Sequence, residues 1–370
     1  MSEMLEKILS NENVEKAYKR VYANKGTGGV DGVTTKELEE YMRANWRSIK
    51  EQIRARTYRP QPVLRVEIPK PNGGVRKLGI PTVIDRVIEQ SVTQVLTPIF
   101  DPMFSENSYG FRPNRRCEQA IIKLLEYFND GYTYVVDIDL EQFFDNVPQD
   151  KLMTLVRSII HDPDTESLIH KYLKAGVMVK GKYEATDVGT PQGGNLSPLL
   201  SNIMLNELDK ELEARSLHFV RYADDWVILT DNKEDAEKLK YKAKRYLRDT
   251  LKLELSEEKT VITNVTSRPI KFLGVEIRIV NKNGRFINKV SPERERFKRK
   301  LDDLQRELFM VRKTTTWDRE RLVHKITRVN SIIIGLANYY SMCDQVSVAV
   351  RKRCKVLKDT GKFSLRHQGG

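Results

Sequence analysis

The sequence predicts an α+β protein, in which short strands and β-hairpins carry helices packed on them and the chain runs into a basic helical end. Three observations predict it. An Asn-Gly turn separates two strand-like runs at residues 63–68 and 75–80. Two adjacent acids separate two short apolar runs at 219–230. From about residue 291, apolar residues recur only at helical spacing.

Residues 1–50 read as helical, interrupted by Lys25-Gly26-Thr27-Gly28-Gly29-Val30-Asp31-Gly32. Four glycines with basic and polar flanks suit close approach to a phosphate backbone, and equally suit a linker. The 63–80 hairpin carries Lys70 and Arg76 near its tip, where Asn72-Gly73 supplies positive φ angles. A helix follows, with Val83, Val87, Ile88, Val92 and Val95 on its apolar face, and 117–129 is helical again. A strand at 133–140 and helices at 149–160 and 164–174 come next. A loop at 188–197 opens a helix to about 213, with Ser197 as its expected N-cap and Pro198 as its first residue. The acidic hairpin, a charged helix at 233–250 and strands near 260–264 and 270–280 follow. Ser291-Pro292 reads as the start of a helix bearing Phe297, Leu301, Leu304 and Leu308. A second helix bears Leu322, Ile326, Val329, Ile333 and Leu336, all expected core contacts.

The 370 residues suffice for two or three domains, and 39% hydrophobic with 31% charged residues suits a globular protein. No run approaches the ~18 apolar residues of a membrane span, so no membrane partner is expected. The first residues lack a signal-peptide core. The three cysteines, Cys117, Cys343 and Cys354, are widely spaced. Together these predict a reducing, cytoplasmic setting of bacterial type, with organellar origin left open. Oligomeric state has no sequence signal. Residues 281–370 hold 22 Lys and Arg against 9 Asp and Glu, so the whole net charge of +13 lies there. A neutral body with a basic end suits a polyanion, or else is a solvated helical surface.

Within Phe219-Val220-Arg221-Tyr222-Ala223-Asp224-Asp225-Trp226-Val227-Ile228-Leu229, two carboxylates sit side by side at a hairpin turn. Adjacent, partly buried anions repel, and a divalent cation relieves the conflict. The strand Tyr134-Val135-Val136-Asp137-Ile138-Asp139-Leu140 offers further acids. Asp137 and Asp139 share a strand face, and spacing leaves open which one faces a metal. Acids from two strands holding Mg2+ suit in-line nucleotidyl transfer. Phe143 and Phe144 follow; a ring there suits exclusion of a 2′-hydroxyl, and one of the two is expected in the core. Gly189-Thr190-Pro191-Gln192-Gly193-Gly194 precedes a helix, so its backbone suits close approach to a base pair. Lys70 and Arg76 are candidate triphosphate ligands. Tyr109-Gly110-Phe111-Arg112-Pro113-Asn114-Arg115-Arg116 mixes aromatic rings with three arginines, a combination that suits single-stranded nucleic acid. There is no Walker-type phosphate loop, no dinucleotide fingerprint, no paired metal histidines and no serine or cysteine nucleophile pattern.

In this order, residues 24–32, 66–71, 76–81, 108–116, 135–145, 189–198, 222–225 and 271–275 resemble the reverse transcriptases encoded by group II introns, also called intron maturases. The resemblance covers roughly residues 10–342 and fades after about 345. It implies a right-hand polymerase: fingers at 1–130 with part of 150–190, a palm with an antiparallel sheet at 131–280, and an all-helical thumb or maturase-like domain at 281–370. It implies metal-binding and catalytic roles for Asp139, Asp224 and Asp225. Asp139 is chosen over Asp137 because the aromatic Phe144 and the acid Asp145 follow it by five and six residues. Phe144 then resembles the sugar gate, Lys70 and Arg76 the triphosphate pair, and Gln192 the residue beside the nucleotide pocket. Gly28 and Gly29 match the loop that covers the template; Arg112, Arg115, Arg116, Gly193 and Tyr222 are expected at nucleic acid. Gly335-Leu336-Ala337-Asn338-Tyr339-Tyr340 fits the thumb signature only loosely.

The implied function is RNA-directed DNA polymerisation with two Mg2+ ions, for which Mn2+ substitutes. The implied partners are an RNA template with a DNA or RNA primer, dNTPs and structured intron RNA, the last to aid splicing and retrotransposition. The alternatives are a domesticated reverse transcriptase in defence or DNA repair, and a maturase acting mainly as an RNA-binding splicing cofactor.

Overall fold

The computed structural model describes residues 2–69, 74–190, 193–312 and 319–343. Helices α1 (Glu3–Ile8), α2 (Asn11–Ala23) and α3 (Leu38–Arg54) lead into the hairpin β1 (Val63–Pro69) and β2 (Val75–Ile80), then helix α4 (Val83–Phe100). Next come α5 (Cys117–Asn129), β3 (Tyr134–Ile138), α6 (Phe143–Asn146), α7 (Gln149–Ile160) and α8 (Pro163–Leu173). β4 (Val177–Val179), β5 (Lys182–Glu184) and α9 (Ser197–Ala214) precede the acidic hairpin, β6 (His218–Tyr222) and β7 (Asp225–Thr230). The order ends with α10 (Lys233–Tyr246), β8 (Val261–Asn264), β9 (Ile270–Phe272), β10 (Val275–Lys282), β11 (Arg285–Pro292), α11 (Arg294–Arg312) and α12 (Arg319–Tyr339). The α+β class is as expected. Three sheets have strand orders β2-β1-β4-β5, β11-β10-β9 and β6-β7-β3-β8.

Contacts divide the chain into two units. The first holds 1–115, 137–228 and 238–261. Its N-terminal helices form where the sequence carries caps: Ser10 accepts from Asn13 N–H and Thr82 from Asp85 N–H. Val14, Ala17 and Val21 of α2, Leu38 of α3, and Val83 and Val87 of α4 then bury one shared core. β1 pairs antiparallel with β2, Leu64 opposite Ile80 through Pro69 opposite Val75, and parallel with β4. The short strands β4 and β5 had no sequence signal: three residues each are too few for a readable period.

The start of α9 corrects one expectation. Leu196, not Ser197, is the N-cap, and it makes no side-chain cap. Glu89 of α4, 3% exposed, takes that role by accepting the Asn195 N–H at 2.6 Å and the Leu196 N–H. A carboxyl group supplied by another helix accepts the orphan N–H groups as a local hydroxyl would.

The second unit holds 116–136, 229–237 and 262–370. Here the helical end begins later than expected. Ser291-Pro292 closes strand β11, which pairs along its whole length with β10, and α11 starts at Arg294. Helices α11 and α12 pack through Leu304, Leu308, Val311 and Val329, with Leu322, Ile326, Ile332 and Leu336 against them. Ile333 is not in that core: it is 40% exposed, and Ile332 takes the inward position. The 3.6-residue period lets either three- or four-residue spacing face inward, and packing on α11 decides. No helix among the described residues is long and apolar enough to cross a membrane.

Candidate active site

The acidic hairpin is built on buried charge. Arg221, in β6, is wholly buried. Its Nε donates to both oxygens of Asp209 of α9, at 2.9 and 2.8 Å. Its Nη1 donates to Asn202 Oδ1 at 2.7 Å and to the Ala223 carbonyl at 3.0 Å. Trp226 Nε1 donates to the same Asp209 at 2.9 Å. The turn residue Ala223 sits at φ +59°, a left-handed conformation an alanine holds only when its surroundings demand it. Gly110 passes so close to the Tyr222–Ala223 backbone that any Cβ there would collide with Ala223 N. Two residues of the turn are thus set from both sides, and Asp224 and Asp225 follow at a fixed place.

The strand β3 ends at Ile138, so Asp139 begins the departing chain. Its backbone is held by Thr260 and Ser256: the Asp139 N–H donates to Thr260 Oγ1 at 3.3 Å and its carbonyl accepts from Ser256 N–H at 2.8 Å. Its carboxylate meets Lys259 Nζ at 3.3 Å. Burial pushes Asp224 above the usual carboxylate range, and the charge of Asp139 adds to the rise. The Asp224 backbone N–H, Arg76 and Arg221 act in the opposite direction. Burial pushes Asp137 up to about 7, with Asp225 and then Asp139 raising it further. Asp139 thus acts on Asp224, and Asp225 and Asp139 act on Asp137, where strand β3 lies beside β7 in the sheet. Among the described residues no three His, Cys, Asp or Glu side chains form a ready-made metal cage. The donor set itself suits a hard divalent cation: carboxylate oxygens whose mutual repulsion a cation removes.

Arg76 on β2 is, with Arg221, a cation felt by Asp224. Lys70 and Gln192 lie outside the described residues. The two phenylalanines divide as anticipated: Phe143 is 3% exposed in the core, and Phe144 is half-buried, its ring 5.2 Å from that of Phe143. Phe144 and Asp145 line a cleft together with Arg65, Lys77, Gly79 and Gly189. The Phe144 carbonyl accepts Thr190 N–H at 2.7 Å, so the glycine-rich loop is tied directly to the phenylalanine segment.

The expected nucleic-acid residues fare unequally. Arg112 is a correction: it is 8% exposed and spends its donors inside the protein. Nε donates to Asp101 Oδ1 at 2.8 Å, Nη1 to the carbonyls of Ser105 and Ser108 at 2.6 and 2.9 Å, and Nη2 to the Asp101 carbonyl at 3.0 Å. A guanidinium so committed folds the 101–112 segment and has no fork left for phosphate. Arg115 pairs with Glu106 and lies 5.5 Å from the centre of the Tyr109 ring. Arg116 is exposed and Tyr222 half-buried. Gly28, Gly29 and Gly193 have a reason inside the chain: a Cβ on them would strike Val33 O, the Thr82 backbone and Gly79 O respectively.

Sequence reasoning missed Asp209, Glu89 and Lys259. An acid in a mid-helix position has no local mark, and only burial beside Arg221 or beside a helix start reveals its use. The ion pair of Arg65 with Asp145, at 3.7 Å, was equally illegible.

Residues 68–277, more than half of the chain, match the reverse transcriptase (RNA-dependent DNA polymerase) family. The group II intron-encoded protein LtrA of Lactococcus lactis subsp. cremoris is 31% identical, across 88% of this chain and 68% of LtrA. Protein YkfC of Escherichia coli K12 is 33% identical, across 76% of this chain and 84% of YkfC. A 91 kDa protein in the cob intron of Schizosaccharomyces pombe is 28% identical, across 76% of this chain and 43% of its own length. The chain therefore belongs to the reverse transcriptase family, among the group II intron-encoded proteins, and is an RNA-directed DNA polymerase with the right-hand α+β fold.

Proposed function

We propose that Asp139, Asp224 and Asp225 hold two Mg2+ ions, or Mn2+ in their place, at the centre where a primer 3′-hydroxyl is extended on an RNA template. When bound, such ions activate the hydroxyl, align the dNTP α-phosphate and stabilise the leaving pyrophosphate. The observation that supports this reading is geometric: the turn carrying Asp224 and Asp225 leads into β7, which lies beside β3 and its acids in one sheet, and the charge of Asp139 opposes ionisation of Asp224 while Arg76 favours it. Arg76, with Lys70, grips the triphosphate through charge-assisted hydrogen bonds. Phe144, at the rim of its cleft, excludes a 2′-hydroxyl, and Gln192 and Gly193 border the nucleotide. Gly28, Gly29, Arg115, Arg116 and Tyr222 approach template or primer. No side chain is assigned as general base. Fingers at 1–130 with part of 150–190, palm at 131–280 and thumb at 281–370 are the matching division. The +13 charge of 281–370 favours structured intron RNA as a second partner, bound to aid splicing and mobility.

Primer extension on an RNA template tests the centre. The wild type extends with Mg2+ and stops with EDTA, and Asp224→Ala loses about a thousandfold or more in rate with RNA affinity at fixed salt little changed. Extension retained by pure Asp224→Ala protein removes the assignment.

A further inference from the structure

The β10–β11 ribbon of the second unit carries an unusual charge pattern. Its register sets Arg278 opposite Lys289, Val280 opposite Ile287, and Lys282 opposite Arg285. Side chains alternate along a strand, so these six residues share one face. The other face is covered away from the turn, where Ile277, Ile279 and Val290 are buried, while Asn281 and Phe286 at the turn end are exposed. On that side Asn288 donates to Leu125 O and Asn129 Oδ1 of α5, at 3.2 and 2.8 Å. The six-residue face is the outer one, with Arg278, Lys282 and Arg285 exposed and Ile287 44% exposed.

Like charges directly opposite each other destabilise an antiparallel pair. Here the arrangement occurs twice within one hairpin, and among the described residues none of the four cations has an ion-pair partner. The one acid on this face, Glu276, lies at the end away from the turn, opposite Lys271 on β9 and Ser291 on β11. The two cation rows are four residues apart, about 13 Å at ~3.3 Å per residue. That span is too wide for the minor groove of B-form DNA, about 6 Å across, and near the ~12 Å of its major groove, so the choice of RNA over DNA rests on the family and is read out by the DNA arm of the test. The same span suits the wide, shallow minor groove of an A-form duplex, whose rims are phosphates and whose floor is ribose and 2′-hydroxyl. Val280 and Ile287 lie between the cation rows, where the sugar edges would pass.

We propose that the outer face of the β10–β11 ribbon binds double-stranded RNA, with Arg278 and Lys289 on one backbone, and Lys282 and Arg285 on the other. This rests on the chain's membership of an RNA-copying family and not on the assignment of the acids. Its test therefore reads binding without dNTPs.

A labelled, blunt RNA duplex of about 20 base pairs is titrated with the full chain across a salt series, beside a DNA duplex of the same sequence. The variant Arg278→Gln/Lys282→Gln/Arg285→Gln/Lys289→Gln is expected to bind the RNA duplex at least about tenfold more weakly, with a salt slope shallower by about 2–4. The DNA duplex is expected to change much less. The variant Lys7→Gln/Lys16→Gln/Lys19→Gln/Arg43→Gln removes four exposed cations already paired with glutamates, and should leave the slope nearly unchanged. Lys282→Glu sets an attractive pair against Arg285, so it should melt no lower than wild type and still weaken RNA binding. An unchanged slope in the ribbon variant, an equal loss on DNA, or an equal loss in the control variant overturns the proposal.

Discussion

Arg221 and Asp209 form a wholly buried ion pair, Nη2 to Oδ2 2.6 Å, that also holds the turn carrying Asp224. Removing one partner strands a buried charge, a loss of about 3–5 kcal/mol. Arg221→Ala is expected to lower the urea midpoint accordingly. Because the Ala223 carbonyl also loses its donor, the surviving folded protein should need more Mg2+ for half-maximal extension. Arg221→Lys keeps the charge without the fork and should fall between. An Mg2+ requirement equal to wild type in both variants would show that the network supports stability alone.

The two adjacent rings predict a separation of effects. Phe144→Ala should raise ribonucleotide incorporation relative to deoxynucleotide by about ten- to a hundredfold, with little loss of stability. Phe143→Ala should cost about 3–5 kcal/mol, because it empties a core site. Competition between dNTP and rNTP in single-nucleotide extension, with a denaturation curve for each variant, separates the two.

Glu89 makes stability pH-dependent. Burial, and then the charge of Asp85, push its pKa up to about 8. In the unfolded chain it titrates near 4.3. Between those values the folded state holds a proton that the unfolded state has released, so stability falls as pH rises through the window. Glu89→Gln keeps an acceptor for the Asn195 N–H and cannot ionise. Its melting temperature should decline less between pH 5 and 9, a difference worth a few kcal/mol at most. Parallel curves for the two proteins would refute the linkage.

Lys259 occupies one oxygen of Asp139, and its side chain is more than half exposed. A screened pair of this kind is weak and competes with a cation only modestly. Lys259→Ala is expected to lower the Mg2+ concentration for half-maximal extension by about two- to threefold. An increase would mean that the lysine assists the acids.

Much of this protein is legible because turn chemistry and periodicity act over a few residues. The strand runs of 63–68 and 75–80, the acids of 224 and 225 between apolar runs, and the spacing of Leu304 and Leu308 each carry their structure locally, whereas Asn72-Gly73 lie outside the described residues. The ordered motifs identify the family for the same reason: each is a short run whose chemistry needs those residues together. What they leave open is where a side chain spends its bonds. Arg112 looks like a nucleic-acid contact in its motif, yet its carbonyl partners and Asp101 claim it. Ser197 looks like a cap, yet Glu89, more than a hundred residues earlier, serves the helix start. Ser291-Pro292 looks like a helix start, yet pairing with β10 extends a strand through it. The sequence by itself determined most of the element types and the family, and it nominated the acids proposed for the centre. Only the tertiary structure decided which charges are buried together and which cations face each other across the ribbon, because burial and register join residues that no local pattern connects.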